Sequence, residues 1–176
     1  MDELYDIYDS EKNKIGVASW TDVHAKGLLH HTVAVLIFKD RTRQELLIHR
    51  RNPAVAQDPG LWQHSAGGHV VASETLQEAI RREVREELFV NHDLPQLEIR
   101  EVLSFNNRDL PNNNEILHLF ETVYPGPFYY DTIELAEEPL WVAFATLLED
   151  VRQWPERYTQ AFRNILSRYC STRKQK

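Results

Sequence analysis

Apolar and polar positions fall into short blocks separated by turn-forming segments. LYDIYD near the N-terminus alternates loosely and predicts an edge strand, followed by the turn-prone SEKNKIG. The first strong strand signal is Thr32 to Phe38, TVAVLIF, a nearly continuous β-branched and apolar run of the kind that is covered on both faces. After the polar KDRTRQ, ELLIH (residues 45 to 49) predicts its hairpin partner. RRNPAVAQDPGLW reads as a loop on its prolines and glycine and delivers the chain to WQHSAGGHV. A helix is predicted from about Thr75 to Leu88, where Thr75 and Glu78 have capping-box spacing and Ser73 offers an alternative cap. Strands are expected over 97–105, 115–123 and 139–144, and two helices over TLLEDVRQW and ERYTQAFRNILSRYC. Strands, a central helix, further strands and closing helices imply a layered α/β fold rather than a regular doubly wound one.

Composition narrows the class. With 176 residues, 42% of them hydrophobic, the chain can bury a sizeable core and is expected to form a single domain over residues 1–176. A single cysteine, Cys170, leaves no disulfide framework and no cysteine metal cluster. MDELYDIYDSEKNKIG is acidic without an apolar h-region, and no segment reaches the roughly 20 apolar residues that span a bilayer. A cytoplasmic protein with no membrane partner is therefore expected, as a monomer or homodimer. A net charge of −7 argues against nucleic-acid binding, which needs a basic surface. A small anionic ligand would need a local cation, either a bound metal or placed arginines.

The central helix carries the candidate chemistry in RREVREEL, residues 81 to 88. At about 100° per residue, Glu83 and Glu87 share the arc of Leu76, Ile80 and Val84, while Arg81 and Arg85 fall on the outer face. Two glutamates on the buried side, four residues apart, repel by about 0.2–0.5 kcal/mol even on an exposed helix. Something positive should sit beside them. Arg82 reaches Glu86 and Glu78 from the outer edge, an angle that leaves Glu83 and Glu87 without it. A divalent metal is the economical partner, with a structural charge network as the alternative. Carboxylate oxygens without cysteine select Mg²⁺ or Mn²⁺ over Zn²⁺.

The stretch from Gly68 to Val90 resembles the Nudix box, G-x5-E-x7-R-E-U-x-E-E-x-G-U with U aliphatic. Gly68, Glu74, Arg82, Glu83, Val84, Glu86, Glu87 and Val90 occupy its positions, and Phe89 stands where the family has glycine. The resemblance implies a Nudix-type α/β/α sandwich with a mixed sheet and a loop-helix-loop metal motif. Residues 1–30 become an N-terminal extension packing on the domain, and 145–176 its C-terminal helices. It implies further that Glu83, Glu86 and Glu87 hold Mg²⁺, that Gly68 shapes the loop before the helix, that Arg82 orients the glutamates, and that Glu74 is structural. Phe89 is costly in a left-handed helix-terminating position, so Asn91 is expected to take that conformation two residues later and leave the metal site intact.

A wider similarity, over roughly residues 1 to 165, is to the isopentenyl-diphosphate isomerase branch of this superfamily. It rests on His24 and His30, LLIHRR at 46–51, PGLW at 59–62, Gly68-His69 and Asn114-Glu115. That branch has a catalytic cysteine where this chain has Gly67, two spaced glutamates where it has Asn113 and Glu115, and lysines where it has Val55 and Ala56. Its metal-ligand positions map onto His24, His30, His69 and Glu115, a second candidate metal site; His31 and His64 receive no role. The family's chemistry implies a Mg²⁺-dependent hydrolase that splits a phosphoanhydride in a nucleoside diphosphate linked to another group, with a small diphosphate as partner. An isomerase-like enzyme and a non-catalytic nucleotide sensor are the alternatives. Glu86 or Glu87 is the candidate general base, ahead of Glu137 and Glu138, and one of Arg50 and Arg51 should clamp phosphate. Trp62, Phe105, Tyr129 and Tyr130 could stack on a base, although core packing is their commoner use.

Overall fold

The computed structural model describes residues 3–55, 57–108, 112–133 and 135–173. Its elements are β1 (Leu4–Tyr8), β2 (Lys14–Ser19), α1 (Trp20–Lys26), β3 (His30–Phe38), β4 (Glu45–Arg50), β5 (Trp62–Gln63), β6 (Ala66–His69), α2 (Leu76–Leu88), β7 (Arg100–Asn107), β8 (Glu115–Val123), β9 (Leu140–Ala143), α3 (Phe144–Gln153), a 3₁₀ turn (Pro155–Arg157) and α4 (Gln160–Arg173). The main sheet runs β5-β4-β3-β8-β7, with β6 also on β3 and β9 also on β4. It is mixed: β3 and β8 are parallel from His30↔Glu115 to Phe38↔Val123, and their sheet neighbours are antiparallel.

The apolar run of β3 is divided by the two-residue period of a strand. Val33, Val35 and Ile37 pack with Ala79, Ile80, Val84 and Leu88 of α2. Ala34, Leu36 and Phe38 pack with Leu147 of α3 and with Phe162, Ile165, Leu166 and Tyr169 of α4. Helices thus cover both faces, the α/β/α sandwich that the resemblance implies. On β8 the buried Glu121 accepts from Arg43, Arg100 and the Tyr169 hydroxyl, the last at 2.8 Å, which ties α4 to the sheet.

Several elements went unforeseen. KIGVAS is a strand pairing with β1, and α1 occupies a stretch for which no element was expected. Ser19 caps α1 by accepting from the Asp22 amide, and Gly27 closes it. Those cap signals were available, but seven residues with one buried side chain, Val23, give almost no apolar period. The hairpin joins the rest of the molecule through Tyr5↔Val71 and Tyr8↔Leu29 bridges.

Thr75 caps α2 in a complete capping box, with its hydroxyl accepting from Glu78 N and its amide donating to the Glu78 carboxylate. Ser73 lies in the turn before it at φ 71°. At the other end Phe89 is buried in the core at φ −137°, and Asn91 adopts the left-handed conformation at φ 58°. Phenylalanine therefore serves as a core residue where the box has glycine, and the reversal moves to Asn91.

Candidate active site

Strand β6 pairs with β3, packs against α2 and presents bare backbone at Gly67 and Gly68. A Cβ on Gly68 would come within 2.4 Å of Glu83 Oε1, so only glycine lets that carboxylate lie against the strand. The Gly67 amide donates to Glu87 Oε1 at 3.4 Å. Glu87 is buried, the Glu83 side chain is 12% exposed and that of Glu86 is 50% exposed, so helix angle separates the three as expected. Burial pushes the Glu83 carboxyl up to about 7 despite the neighbouring Arg82 guanidinium.

Arg82 departs from expectation. Its guanidinium forks onto Glu74 at 2.9 and 3.0 Å, and donates to Glu83 at 2.8 Å, to Glu86 at 3.2 Å and to the His69 carbonyl at 2.8 Å. The helical projection left Glu83 beyond its reach and offered it Glu78. Instead the long side chain folds back over its own helix toward β6, while Glu78 is engaged by Thr75. Glu74 is the structural anchor of this fork.

These groups border one cavity of about 580 Å³, lined by Glu83, Glu86 and Glu87 on one side and Arg51 on another, with Gly67, Gly68 and His69 between. Arg51 is steadied by the Gln57 carbonyl at 2.8 Å and Gln63 Oε1 at 3.3 Å. Arg50 turns outward, donating to the Gly60 carbonyl and lying 3.9 Å from Glu137. Of the two arginines, one of which was expected to clamp phosphate, Arg51 faces the cavity and Arg50 the outer surface, because consecutive residues of a strand point to opposite faces. Glu137 and Glu138 are exposed, and among the described residues the acid beyond α2 that lines the cavity is Asp131. Glu3, Tyr5 and Trp20 of the N-terminal segment line it too, and nothing in their local sequence marks them. Trp62 and Phe105 pack against the α3–α4 side, Tyr130 packs on the α2 side, and Tyr129 stacks on His92. Val55 lines the cavity, whereas Ala56 lies outside the described residues.

Beside the glutamates, His24, His30 and His69 form a second group whose ligand atoms all lie within 4.8 Å of one another. His24 Nδ1 sits 2.9 Å from the Trp20 carbonyl and His30 Nδ1 2.9 Å from the Leu28 carbonyl, which leaves their Nε2 atoms for the centre of the group. His24 and His69 approach through Nε2 at 3.4 Å. Burial pushes His30 down to about 4 and His69 to about 3, so both are neutral at pH 7. Glu115 pairs with His30 across β3 and β8, but its oxygens accept from Asn113 at 2.7 Å and Asn107 at 2.9 Å, and the three-histidine group closes without it. His31 stacks on Tyr8 and meets His118 at 3.1 Å.

A family model for the NUDIX domain matches residues 28–162. The chain belongs to the Nudix family. This Nudix protein is 30% identical over 170 residues to isopentenyl-diphosphate Δ-isomerase 2 of Photorhabdus laumondii, covering 95% of this chain and 92% of that one. It is 33% identical over 176 residues to Nudix hydrolase orf19 of Rhodococcus erythropolis, covering 96% and 92%. Among solved structures it resembles DR0079 of Deinococcus radiodurans at a TM-score of 0.78, with 23% identity, 94% of this chain and 98% of that one. The NUDIX domain of Shewanella oneidensis NrtR, solved with ADP ribose, matches at a TM-score of 0.60 with 16% identity, 94% of this chain and 93% of that one. These two structural likenesses establish the fold. No helix among the described residues is long and apolar enough to cross a membrane.

Proposed function

We propose that this Nudix protein is a Mg²⁺-dependent hydrolase that cleaves a phosphoanhydride bond in a nucleoside diphosphate linked to another group. The observation that carries the reading is the gathering of Glu83, Glu86 and Glu87 against the two glycines of β6, across one cavity from Arg51. The donor set suits a hard divalent cation, Mg²⁺ or Mn²⁺: three carboxylates, one of them held near neutral pKa by burial, are a cluster that a cation would relieve. Glu83, Glu86 and Glu87 would hold it. Bound there, it supplies charge neutralisation for the diphosphate and a bound water of lowered pKa.

The protein's own groups supply the remainder. Arg51 binds a phosphate, and Gly67 and Gly68 form the cavity wall against which the glutamates lie. Arg82 positions Glu83 and Glu86. Glu86, half-exposed and tied by a single 3.2 Å bond, is the best placed to accept the proton of the attacking water. The water oxygen bonds to one phosphorus as the bridging P–O bond breaks, and the leaving phosphate carries away the electron pair. His24, His30 and His69 bring their ring nitrogens together, those of His30 and His69 kept neutral by burial, in a set suited to a second metal.

Incubating the protein with Mg²⁺ and a panel of nucleoside diphosphate derivatives, beside Glu86→Gln, should release a monophosphate with the parent only. No turnover of any panel member by the parent, with the metal bound, would sink the proposal. Isomerisation is the second reading, favoured by relatives named isopentenyl-diphosphate isomerase along nearly the whole chain. Against it, a Cβ at Gly67 would lie 2.4 Å from the Val33 carbonyl oxygen and 2.9 Å from Ala34 Cα, so the position has no room for a reactive side chain. Solvent deuterium entering isopentenyl diphosphate would revive that reading.

A further inference from the structure

His49 is 1% exposed and has no part in the chemistry above, yet both of its ring nitrogens are engaged. Strands β4 and β5 set it directly opposite Gln63, itself 7% exposed, so the two side chains meet on one face. Arg51, two residues on from His49, shares that face and reaches the cavity wall. Three contacts run in series. The Ser65 carbonyl lies 3.2 Å from His49 Nδ1, the Gln63 amide nitrogen lies 2.6 Å from His49 Nε2, and the Gln63 amide oxygen accepts from Arg51 Nη1 at 3.3 Å.

The direction of every bond in this series follows from one fact, that a guanidinium only donates. Gln63 must turn its oxygen to Arg51, which leaves its NH₂ group for His49. His49 Nε2 then has to accept, so the ring proton sits on Nδ1, where the Ser65 carbonyl takes it. A proton on Nε2 would instead turn Gln63 round and set its NH₂ group against Arg51, donor against donor. Burial pushes His49 down to about 4, so at pH 7 the ring carries a single proton. On Arg51, Nε donates to the Gln57 carbonyl at 2.8 Å. That bond alone leaves the guanidinium free to turn about it, and the Gln63 bond removes the freedom. A pair that only filled space would be less costly to bury if it were apolar. This pair is polar throughout and ends on the cation that faces the carboxylates.

We propose that His49 is a positioning residue which, through Gln63, fixes the rotation of the Arg51 guanidinium at the cavity wall. The importance of that rotation rests on the phosphate role given to Arg51 above.

The parent itself carries the first test, by ¹⁵N NMR of its histidine rings at pH 7. His49 should show a protonated Nδ1 and a bare Nε2. A proton on Nε2 overturns the proposal whatever the protein hydrolyses, and the measurement needs no variant. The second test reads Arg51, whose two Nη nitrogens should give separate resonances in the parent and merge in His49→Leu as the guanidinium begins to turn. His49→Gln returns an acceptor near the place of Nε2 and should keep them apart. A purely structural role would lower Tm and leave these resonances alone; separate resonances in both the parent and His49→Leu overturn the proposal. Calorimetry with Mg²⁺ and inorganic pyrophosphate links positioning to binding. Affinity should fall about 10-fold in His49→Leu and in Gln63→Leu, and stay within about threefold of the parent in His49→Gln. The double variant should lose no more than Gln63→Leu, because the two residues act in series; losses that multiply overturn the proposal. Merged resonances with unchanged pyrophosphate affinity support the positioning and remove the phosphate reading of Arg51 alone.

Discussion

Arg82→Met removes five hydrogen bonds at one position, and their burial decides what that costs. Side-chain exposure is 20% for Arg82, 15% for Glu74, 12% for Glu83 and 50% for Glu86. The Glu86 contact is a surface pair worth about 0–1 kcal/mol. The fork on Glu74 and the bond to Glu83 are largely shielded, and deleting one partner of a buried pair costs roughly 3–5 kcal/mol. Residual solvent access argues for the lower end, about 3 kcal/mol, or roughly 6–12 °C in Tm for a chain of this size. Lysine keeps the charge and loses the fork, so Arg82→Lys should lose about half as much. Urea and thermal unfolding at pH 7 with EDTA measure this. A chemical readout accompanies it: Arg82 holds down a Glu83 carboxyl that burial lifts to about 7. Without the guanidinium that carboxyl stays protonated to higher pH, so Mg²⁺ affinity in Arg82→Met should fall at pH 7 and recover by about pH 9. Unfolding within about 1 kcal/mol of the parent, or an affinity loss equal at both pH values, would refute the reasoning.

The two glycines of β6 should respond differently to alanine. At Gly67 the new methyl meets backbone atoms at 2.4 and 2.9 Å, so urea midpoints should register about 1–3 kcal/mol of destabilisation. At Gly68 it meets the movable Glu83 carboxylate, so stability should change less and Mg²⁺ affinity should fall, by calorimetry, about tenfold or more. Glu86→Gln should lower turnover by about 10²–10⁴-fold while Tm barely moves, because the side chain is half-exposed. His49 and His64 should make the fold acid-sensitive: burial holds them at about 4 and about 3 against 6.5 for the free side chain. The folded state then binds fewer protons, so their contribution is full above pH 6.5 and is lost as pH falls toward 4. At pH 5 each costs about 2 kcal/mol relative to pH 7.5. Equal urea midpoints for the parent at the two pH values would contradict this.

Where apolar residues mark a period, the sequence located the elements closely: β8 matches residue for residue, β3 begins two residues early, and α2 ends at the leucine expected. Where burial is slight the signal fails. Strand β2 exposes half its residues, α1 buries one, and β5 is a two-residue pairing made by its neighbour rather than by propensity. Glu3, Tyr5 and Trp20 reach the cavity because β1 bridges to Val71 and Leu29, a long-range pairing that no local pattern encodes.

The acids of α2 show how far a one-dimensional projection carries. Helix angle alone separates Glu83 and Glu87 from the solvated Arg81 and Arg85, since Cα–Cβ directions are set by the backbone. It fails for Arg82, whose head group lies several bonds from the axis and goes where acceptors are. Those acceptors are Glu74, eight positions earlier, and the His69 carbonyl, thirteen positions earlier, both delivered by the turn between β6 and α2. The like-charge strain of the glutamates is therefore relieved in part by Arg82 within the protein. Burial still pushes the Glu83 carboxyl up to about 7 with Arg82 in contact, and the charge of Glu86 adds to that rise. A single guanidinium spread over three carboxylates leaves net negative charge at the cavity wall, and that residue of charge is what a divalent cation would neutralise.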